Sequence, residues 1–200
     1  MQRYKTYLIF GPPGSGKGTQ GVTLGTLPQF FHCACGDVFR SLDTRTELGQ
    51  AFLYFSGKGE LVPDEITIKL WKVRIADCVR SHQFKPELDA LVLDGIPRNV
   101  RQAEIMEEMI DVRAVFHLDC PDRKALVKRL QRRALKDNRL DDANEEIIRE
   151  RLSVYDNLSK PLLKYYGDDL IQTIDATRSP VQVLGEIINA INGMEKRKHC

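Results

Sequence analysis

Five short apolar runs, separated by much longer segments with helical spacing, constrain the fold of this chain more than any other feature of its sequence. The runs are nearly continuous in apolar residues and occupy positions 6–10, 30–33, 91–93, 114–118 and 170–174. A strand with one face in water alternates apolar and polar residues, whereas a strand buried on both faces of a parallel sheet is apolar throughout. The five runs therefore predict a parallel sheet that is covered on both sides.

The segments between the runs supply the covering layers. Apolar residues recur every three to four positions in 17–27, 64–81, 100–109, 121–135, 144–166 and 180–191. Alternating strands and helices are typical of an α/β doubly wound fold with helices on both faces of the sheet. Two segments break the alternation, because 34–62 is rich in polar residues and glycine and 131–142 is dense in charge. We interpret both as insertions on one core.

Composition narrows the class of protein. The 200 residues carry 30 Lys and Arg against 28 Asp and Glu, and a net charge of +2 excludes a uniformly basic surface for an extended polyanion. No run approaches the roughly 18 apolar residues of a membrane span, and the N-terminus lacks the apolar core of a signal peptide. We therefore expect a cytoplasmic protein with no membrane partner. Its five cysteines form no CxxC pair and are expected to be free thiols.

The strongest local signal is a glycine-rich loop, Gly11-Pro-Pro-Gly-Ser-Gly-Lys17, directly after the first apolar run. Glycine allows tight turns that point backbone N–H groups inward, the N-terminus of the following helix adds positive potential, and Lys17 adds a full charge. This context predicts a P-loop that binds the phosphates of a nucleotide. The general motif has Ser or Thr after the lysine as a Mg²⁺ ligand, whereas this chain has Gly18 followed by Thr19.

The Gly-Thr pair after Lys17 resembles the loop of the nucleoside-monophosphate kinases, the family that includes adenylate kinase. Further segments are similar to motifs of that family and follow in its order: Gly36-Asp-Val-Phe-Arg40, Glu60-Leu-Val-Pro-Asp-Glu65, Asp94-Gly-Ile-Pro-Arg98, and the arginines and acidic pair within 129–152. The resemblance covers nearly the whole chain. It implies a P-loop kinase fold, with a parallel five-stranded sheet flanked by helices, an NMP-binding insertion and a short lid.

The resemblance also implies how the chain is organised. The P-loop core comprises 1–33, 63–128 and 143–192, the NMP-binding insertion is 34–62, the lid is 129–142, and a flexible tail is 193–200. The lid contains no cysteine, which excludes the structural zinc of longer-lidded relatives. We expect a monomer whose partners are ATP and AMP, with Mg²⁺ as cofactor and no nucleic acid.

One group of residues is assigned by the resemblance to ATP and to catalysis. The expected ATP-binding residues are Gly14, Ser15, Gly16, Lys17, Gly18, Thr19, Arg129, Arg133 and Arg178. The expected catalytic residues are Lys17, Arg98, Arg133, Arg139 and Arg151. Asp94 ends an apolar strand and should lie at the carboxyl edge of the sheet beside the P-loop, where we expect it to hold Mg²⁺ through water.

A second group is assigned to the acceptor nucleotide. The expected AMP-binding residues are Cys35, Arg40, Glu60, Leu61, Val62, Gly95, Ile96, Pro97, Arg98, Gln102, Arg139 and Arg151. The guanidinium groups of Arg40 and Arg98 suit bidentate binding of a phosphate, and the amide of Gln102 suits the edge of a base. The step from Arg139 to Arg151 is one residue longer than the family pattern, so the last phosphate ligand is Arg149 or Arg151, and Leu152 favours Arg151.

Two residues leave the acceptor open. Adenylate kinases usually have threonine at the position of Cys35, and the UMP/CMP kinases typically have asparagine at the position of Asn99. Our first hypothesis is the reaction ATP + AMP = 2 ADP, with UMP or CMP as the alternative acceptor. The basic run that begins at Arg129 leaves a third hypothesis, a non-catalytic nucleotide- or RNA-binding protein, although no aromatic residues interleave that run for base stacking.

Overall fold

A single parallel sheet of five strands forms the centre of the molecule. The computed structural model describes residues 3–137, 142 and 144–197. The strands are β1 (Tyr4–Phe10), β2 (Phe30–Ala34), β3 (Ala90–Asp94), β4 (Ile110–Asp119) and β5 (Ile171–Asp175). Their order across the sheet is β2-β3-β1-β4-β5, and every pairing is parallel. The predicted fold class is thereby confirmed, and each strand lies on one of the five apolar runs.

Helices cover both faces of this sheet. They are α1 (Lys17–Leu24), α2 (Cys35–Arg40), α3 (Glu47–Gly57), α4 (Asp64–Arg80), α5 (Val100–Met106), α6 (Arg123–Asp137), α7 (Glu145–Val154), α8 (Pro161–Tyr166) and α9 (Pro180–Arg197). Alternate residues of β1 enter two separate cores: Leu8 belongs to the core that includes Trp71 of α4, whereas Ile9 belongs to the core that includes Leu126 of α6. This double burial explains why the strands are apolar at every position.

The strand order creates a crevice at the carboxyl end of β1. After β1 the chain forms β2 and β3, which both lie on one side of β1 in the sheet. It then crosses to the other side of β1, where it forms β4 and β5. Ligands of open α/β sheets bind at such a switch point. Ile9 is paired with Asp94, so the end of β3 lies beside the P-loop that follows Phe10.

The predicted insertions have different structures. Helices α2 and α3 lie within 34–62, whereas α6 runs without interruption across the predicted start of the lid at residue 129. The division of the chain into core, insertions and lid remains a prediction. Among the described residues, no helix combines the length and the apolar character that a bilayer crossing requires.

Two predicted helical segments differ from the structure in regularity or extent. The single helix predicted over 144–166 is divided into α7, a π-helical turn over Tyr155–Ser159, and α8. Pro161 explains the division, because proline has no N–H for the helical ladder and its ring clashes with the preceding turn. In the π-helical turn, Lys160 N donates to Tyr155 O at 2.8 Å. Helix α9 also continues to Arg197, so residues 193–197 of the predicted tail are helical.

Candidate active site

The P-loop has the backbone geometry that its glycines predict. Gly11, Gly14 and Gly16 all have positive φ angles, of 147°, 85° and 100°. A Cβ on Gly11 would lie 2.5 Å from the carbonyl oxygen of Leu118, so no other residue fits there. Ser15 Oγ is buried and has no hydrogen-bond partner in the described part of the chain. The loop therefore presents backbone and hydroxyl donors at the start of α1.

Lys17 lies at the centre of a cluster of charges. Its Nζ donates to the carbonyl oxygens of Gly11 at 2.8 Å and Pro12 at 3.0 Å. Burial lowers the pKa of Lys17 to about 8, against the opposing effect of the Asp94 carboxylate. Three further cations, Arg98, Arg133 and Arg151, lower this pKa as well and line the same cavity as the lysine. A concentration of positive charge in a partly buried site favours a polyanionic ligand.

Asp94 stands beside the first turn of α1. Its Oδ2 would be 3.5 Å from a Cβ placed on Gly18, the residue that replaces the usual Ser or Thr of the motif. Carboxylate oxygens next to bound phosphates are ligands that Mg²⁺ prefers, directly or through water. The donor type and the position of Asp94 both fit that ion.

One buried carboxylate binds two arginines of the segment 129–152. Asp142 is fully buried and accepts from Arg133 Nε at 2.7 Å and from Arg151. Arg149, in contrast, is mostly exposed and pairs with Glu145 on the surface of α7. The structure thus directs Arg151, and not Arg149, toward the charge cluster. Arg139 lies outside the described residues.

The segment Asp94-Gly-Ile-Pro-Arg98, together with Arg40 and Cys35, forms a second wall of the site. Arg98 Nε donates to Gly95 O at 2.8 Å, and Arg98 O accepts from Ser159 Oγ at 2.6 Å. Arg40 pairs with Asp37 at 2.5 Å and is about one third exposed. Cys35 is buried, and this burial raises the pKa of its thiol to about 11. At neutral pH the thiol is therefore protonated and acts as a small, weakly polar surface.

Gln102 has partners for both ends of its amide. Its Oε1 accepts from Arg98 N at 2.8 Å, and its Nε2 donates to Asp64 Oδ1 at 2.7 Å. Asn99 caps α5 by accepting from Gln102 N at 2.8 Å, and its Nδ2 donates to the same Asp64 oxygen at 2.9 Å. Gln102 faces the cavity described below, whereas Asn99 is occupied by the cap and by Asp64.

The third wall is a loop after β5. Arg129 donates to the carbonyl oxygen of Ala176 at 2.9 Å, and Gln20 donates to that of Pro180 at 3.0 Å. Arg178, between these two anchors, pairs with Glu186 on α9. The loop is therefore tied to α6 on one side and to the P-loop helix on the other.

These walls enclose one cavity of about 900 Å³. Every site residue that the sequence predicts lines this cavity, except Arg139, which the structure does not describe. Sequence reasoning missed Gln20, Tyr155, Ser159 and Tyr166, which line it as well. Pro161 was the available signal for the last three, because a proline inside a predicted helix marks a change of direction.

Known proteins resemble the chain over almost its whole length. The family described as adenylate kinase matches residues 9–171. The adenylate kinase of Thermobifida fusca is 37% identical over 191 residues, which cover 92% of this chain and 96% of the relative. That of Cyanothece sp. is 35% identical, covering 96% and 97%, and that of Flavobacterium psychrophilum is 33% identical, covering 91% and 97%. These matches, together with a P-loop, an Asp94–Arg98 segment and two arginines that line one cavity, show that the chain belongs to the adenylate kinase family.

Proposed function

We propose that the protein transfers the γ-phosphoryl group of ATP to AMP, with Mg²⁺, and so forms two molecules of ADP. The observation that supports this most directly is the shared cavity, which both the P-loop and the Asp94–Arg98 segment line. Its charge cluster of Lys17, Arg98, Arg133 and Arg151 suits two phosphorylated substrates that meet end to end.

The proposed reaction needs positioning and charge neutralisation more than proton transfer. An oxygen of the AMP phosphate is already anionic; it bonds to the γ-phosphorus as the bond from that phosphorus to the bridging oxygen of ADP breaks. No general base is required. The protein's task is to hold the two phosphates in line and to balance the charge that spreads over the moving group.

Each cationic side chain has a place in this scheme. Lys17 binds the β- and γ-phosphates of ATP, and Arg98 and Arg40 bind the phosphate of AMP. Arg133 and Arg151, held together by Asp142, contact the transferred group. Arg139 remains a proposed ligand of the same group.

Mg²⁺ would be held by Asp94 through water, since this carboxylate stands beside the start of α1. When bound, the ion neutralises charge on the ATP phosphates. Lys17 and the arginines supply the remaining positive charge around the phosphoryl group. The site residues all come from one chain, and we propose that the monomer is sufficient for catalysis.

AMP is a better acceptor than a pyrimidine monophosphate for two reasons. The named relatives are all adenylate kinases. Asn99, one of the two residues that pointed to UMP or CMP, caps α5 and binds Asp64 instead of lining the cavity. Cys35 faces the cavity as a protonated thiol and can pack against either kind of base.

A coupled assay of ADP formation from ATP with AMP, UMP, CMP or GMP tests the proposal. We expect clear turnover with AMP; turnover with UMP and none with AMP would refute it. Arg151→Ala should lower kcat/KM by about 10³-fold or more, as loss of a phosphate-bound arginine does in related chemistry. Arg149→Ala is the matched control and should retain activity, because Arg149 is exposed two residues away on the same helix. Loss of activity in Lys17→Ala would refute the non-catalytic hypothesis, because the measured turnover would then belong to this site.

A further inference from the structure

The amide of Gln102 is held in one orientation by groups that cannot exchange roles. The backbone N–H of Arg98 can only donate, and it points at Gln102 Oε1 from 2.8 Å. The Asp64 carboxylate can only accept, and it receives Gln102 Nε2 at 2.7 Å. A flipped amide would place a donor against a donor and an acceptor against an acceptor. Both contacts are direct and Gln102 is only 1% exposed, so no water separates these partners and either mismatch would cost free energy.

Asp64 is itself kept in place from two sides. The same Oδ1 accepts from Asn99 Nδ2 at 2.9 Å, and Asn99 is oriented by its cap, where its Oδ1 accepts from Gln102 N. Asp64 is also the first residue of α4, where the N-terminal end of the helix favours a carboxylate. The network therefore joins the starts of α4 and α5 around one amide.

The locked amide still has bonding capacity toward the cavity that it lines. Gln102 Oε1 has a second lone pair and Nε2 has a second hydrogen, so one acceptor and one donor remain in a fixed order. Adenine offers a donor at its 6-amino group and an acceptor at N1. Hypoxanthine, of the same size and shape, offers an acceptor at O6 and a donor at N1. An amide that cannot flip can match only one of these two patterns.

We infer that Asp64 is a specificity-determining positioning residue, which makes the acceptor site select a 6-amino over a 6-oxo base by preventing rotation of the Gln102 amide. This inference rests on the proposed function, since it assigns Gln102 to the base of the acceptor nucleotide. Asp64 acts through Gln102 and need not touch the substrate.

The test compares kcat/KM for AMP and for IMP in each enzyme preparation. This ratio does not depend on the folded fraction, because both substrates meet the same active molecules. The wild-type enzyme should prefer AMP by on the order of 10²-fold or more, since a site built for one hydrogen-bond pattern rejects the opposite one strongly. In Asp64→Ala, water fills the space and can donate or accept, and the preference should fall about tenfold.

Two further variants separate orientation from charge. Asp64→Asn keeps an acceptor oxygen for Gln102 and Asn99 but removes the charge, so it should retain most of the wild-type preference. Asp77→Asn removes an exposed carboxylate of the same helix, and the AMP:IMP ratio should not change.

An AMP:IMP ratio in Asp64→Ala within twofold of wild type would overturn the inference. It would also be overturned if Asp64→Asn lost as much preference as Asp64→Ala, because charge and not orientation would then select the base. If the enzyme phosphorylates pyrimidine monophosphates and not AMP, the proposed function fails by itself. The inference is then decided by the CMP:UMP ratio, because cytosine and uracil present the same two opposite patterns.

Discussion

Replacing Asp142 by asparagine should destabilise the free protein far more than replacing Glu145 by glutamine, although each change neutralises one carboxylate paired with arginine. Asp142 has no exposed surface and holds Arg133 and Arg151, which are 30% and 18% exposed. Glu145 and Arg149 are 51% and 74% exposed. The two sites therefore differ mainly in how well water can replace the lost partner.

The size of the difference follows from this burial. Breaking a buried ion pair by removing one partner lowers the free energy of unfolding by about 3–5 kcal/mol. The asparagine keeps one acceptor and both arginines reach some solvent, so the lower end, about 3 kcal/mol, applies to Asp142→Asn. Loss of the exposed pair between Glu145 and Arg149, including its effect on the start of α7, should lower the free energy of unfolding by at most about 1 kcal/mol. For a chain of this size, the larger value lowers Tm by about 6–12 °C.

Thermal and urea unfolding of the two variants and the wild type measure both effects. Saturating nucleotide should narrow the gap between Asp142→Asn and wild type, because bound phosphates supply the counter-charge that the arginines have lost. The reasoning is refuted if Asp142→Asn lowers Tm no more than Glu145→Gln does. It is also refuted if nucleotide widens the gap.

Three other changes test separate parts of the site. First, the charged form of Lys17 binds phosphate and its pKa in the free protein is about 8, so kcat/KM for ATP should fall as the pH rises above about 8. In the pH–rate profile, kcat should stay constant to higher pH, because bound phosphate raises the pKa of Lys17. The same fall in kcat/KM at alkaline pH in an active Lys17→Arg variant would contradict this assignment. Second, Ser159→Ala removes the 2.6 Å hydrogen bond to Arg98 O and should raise the KM for AMP by about 2- to 12-fold. Ser159→Thr keeps the hydroxyl group and should keep the KM near the wild-type value. An unchanged KM in Ser159→Ala would show that Ser159 does not position Arg98. Third, Gly59 and Gly167 have φ angles of 76° and 74°, but only a Cβ on Gly59 would meet the backbone of α7, at 2.9 Å. Gly59→Ala should therefore lower Tm more than Gly167→Ala and should alone raise the KM for AMP, and equal effects in melting and kinetics would rule out this contact as a cause.

The residues of the P-loop show why part of the site can be predicted from the sequence. The loop is a local structure, because its φ angles, its glycines and the start of α1 all lie within about ten consecutive positions. The five strands can be predicted for a similar reason, since burial on both faces of the sheet requires an apolar residue at nearly every position of each strand. Both predictions depend on neighbours along the chain.

The orientation of Gln102 shows why the rest of the site cannot be predicted from the sequence. Its partner Asp64 is 38 residues away, and Ser159, which holds Arg98, is 61 residues from that arginine. Nothing in the spacing of these residues reveals that they touch, or which end of an amide faces a carboxylate. The choice between Arg149 and Arg151 was also left to a single neighbouring leucine, until the position of Asp142 separated them.

The order of residues along the chain is sufficient to predict a doubly wound α/β fold, a phosphate-binding loop and the motifs of the family. Apolar periodicity and local backbone requirements are properties of short segments, so they can be recognised without knowledge of the tertiary structure. Three features became known from the folded chain alone: which arginines share a buried carboxylate, where the π-helical turn places Ser159, and how the Gln102 amide is oriented. These features are set by side chains that meet across the crevice, and such contacts depend on the packing of distant elements rather than on any one segment.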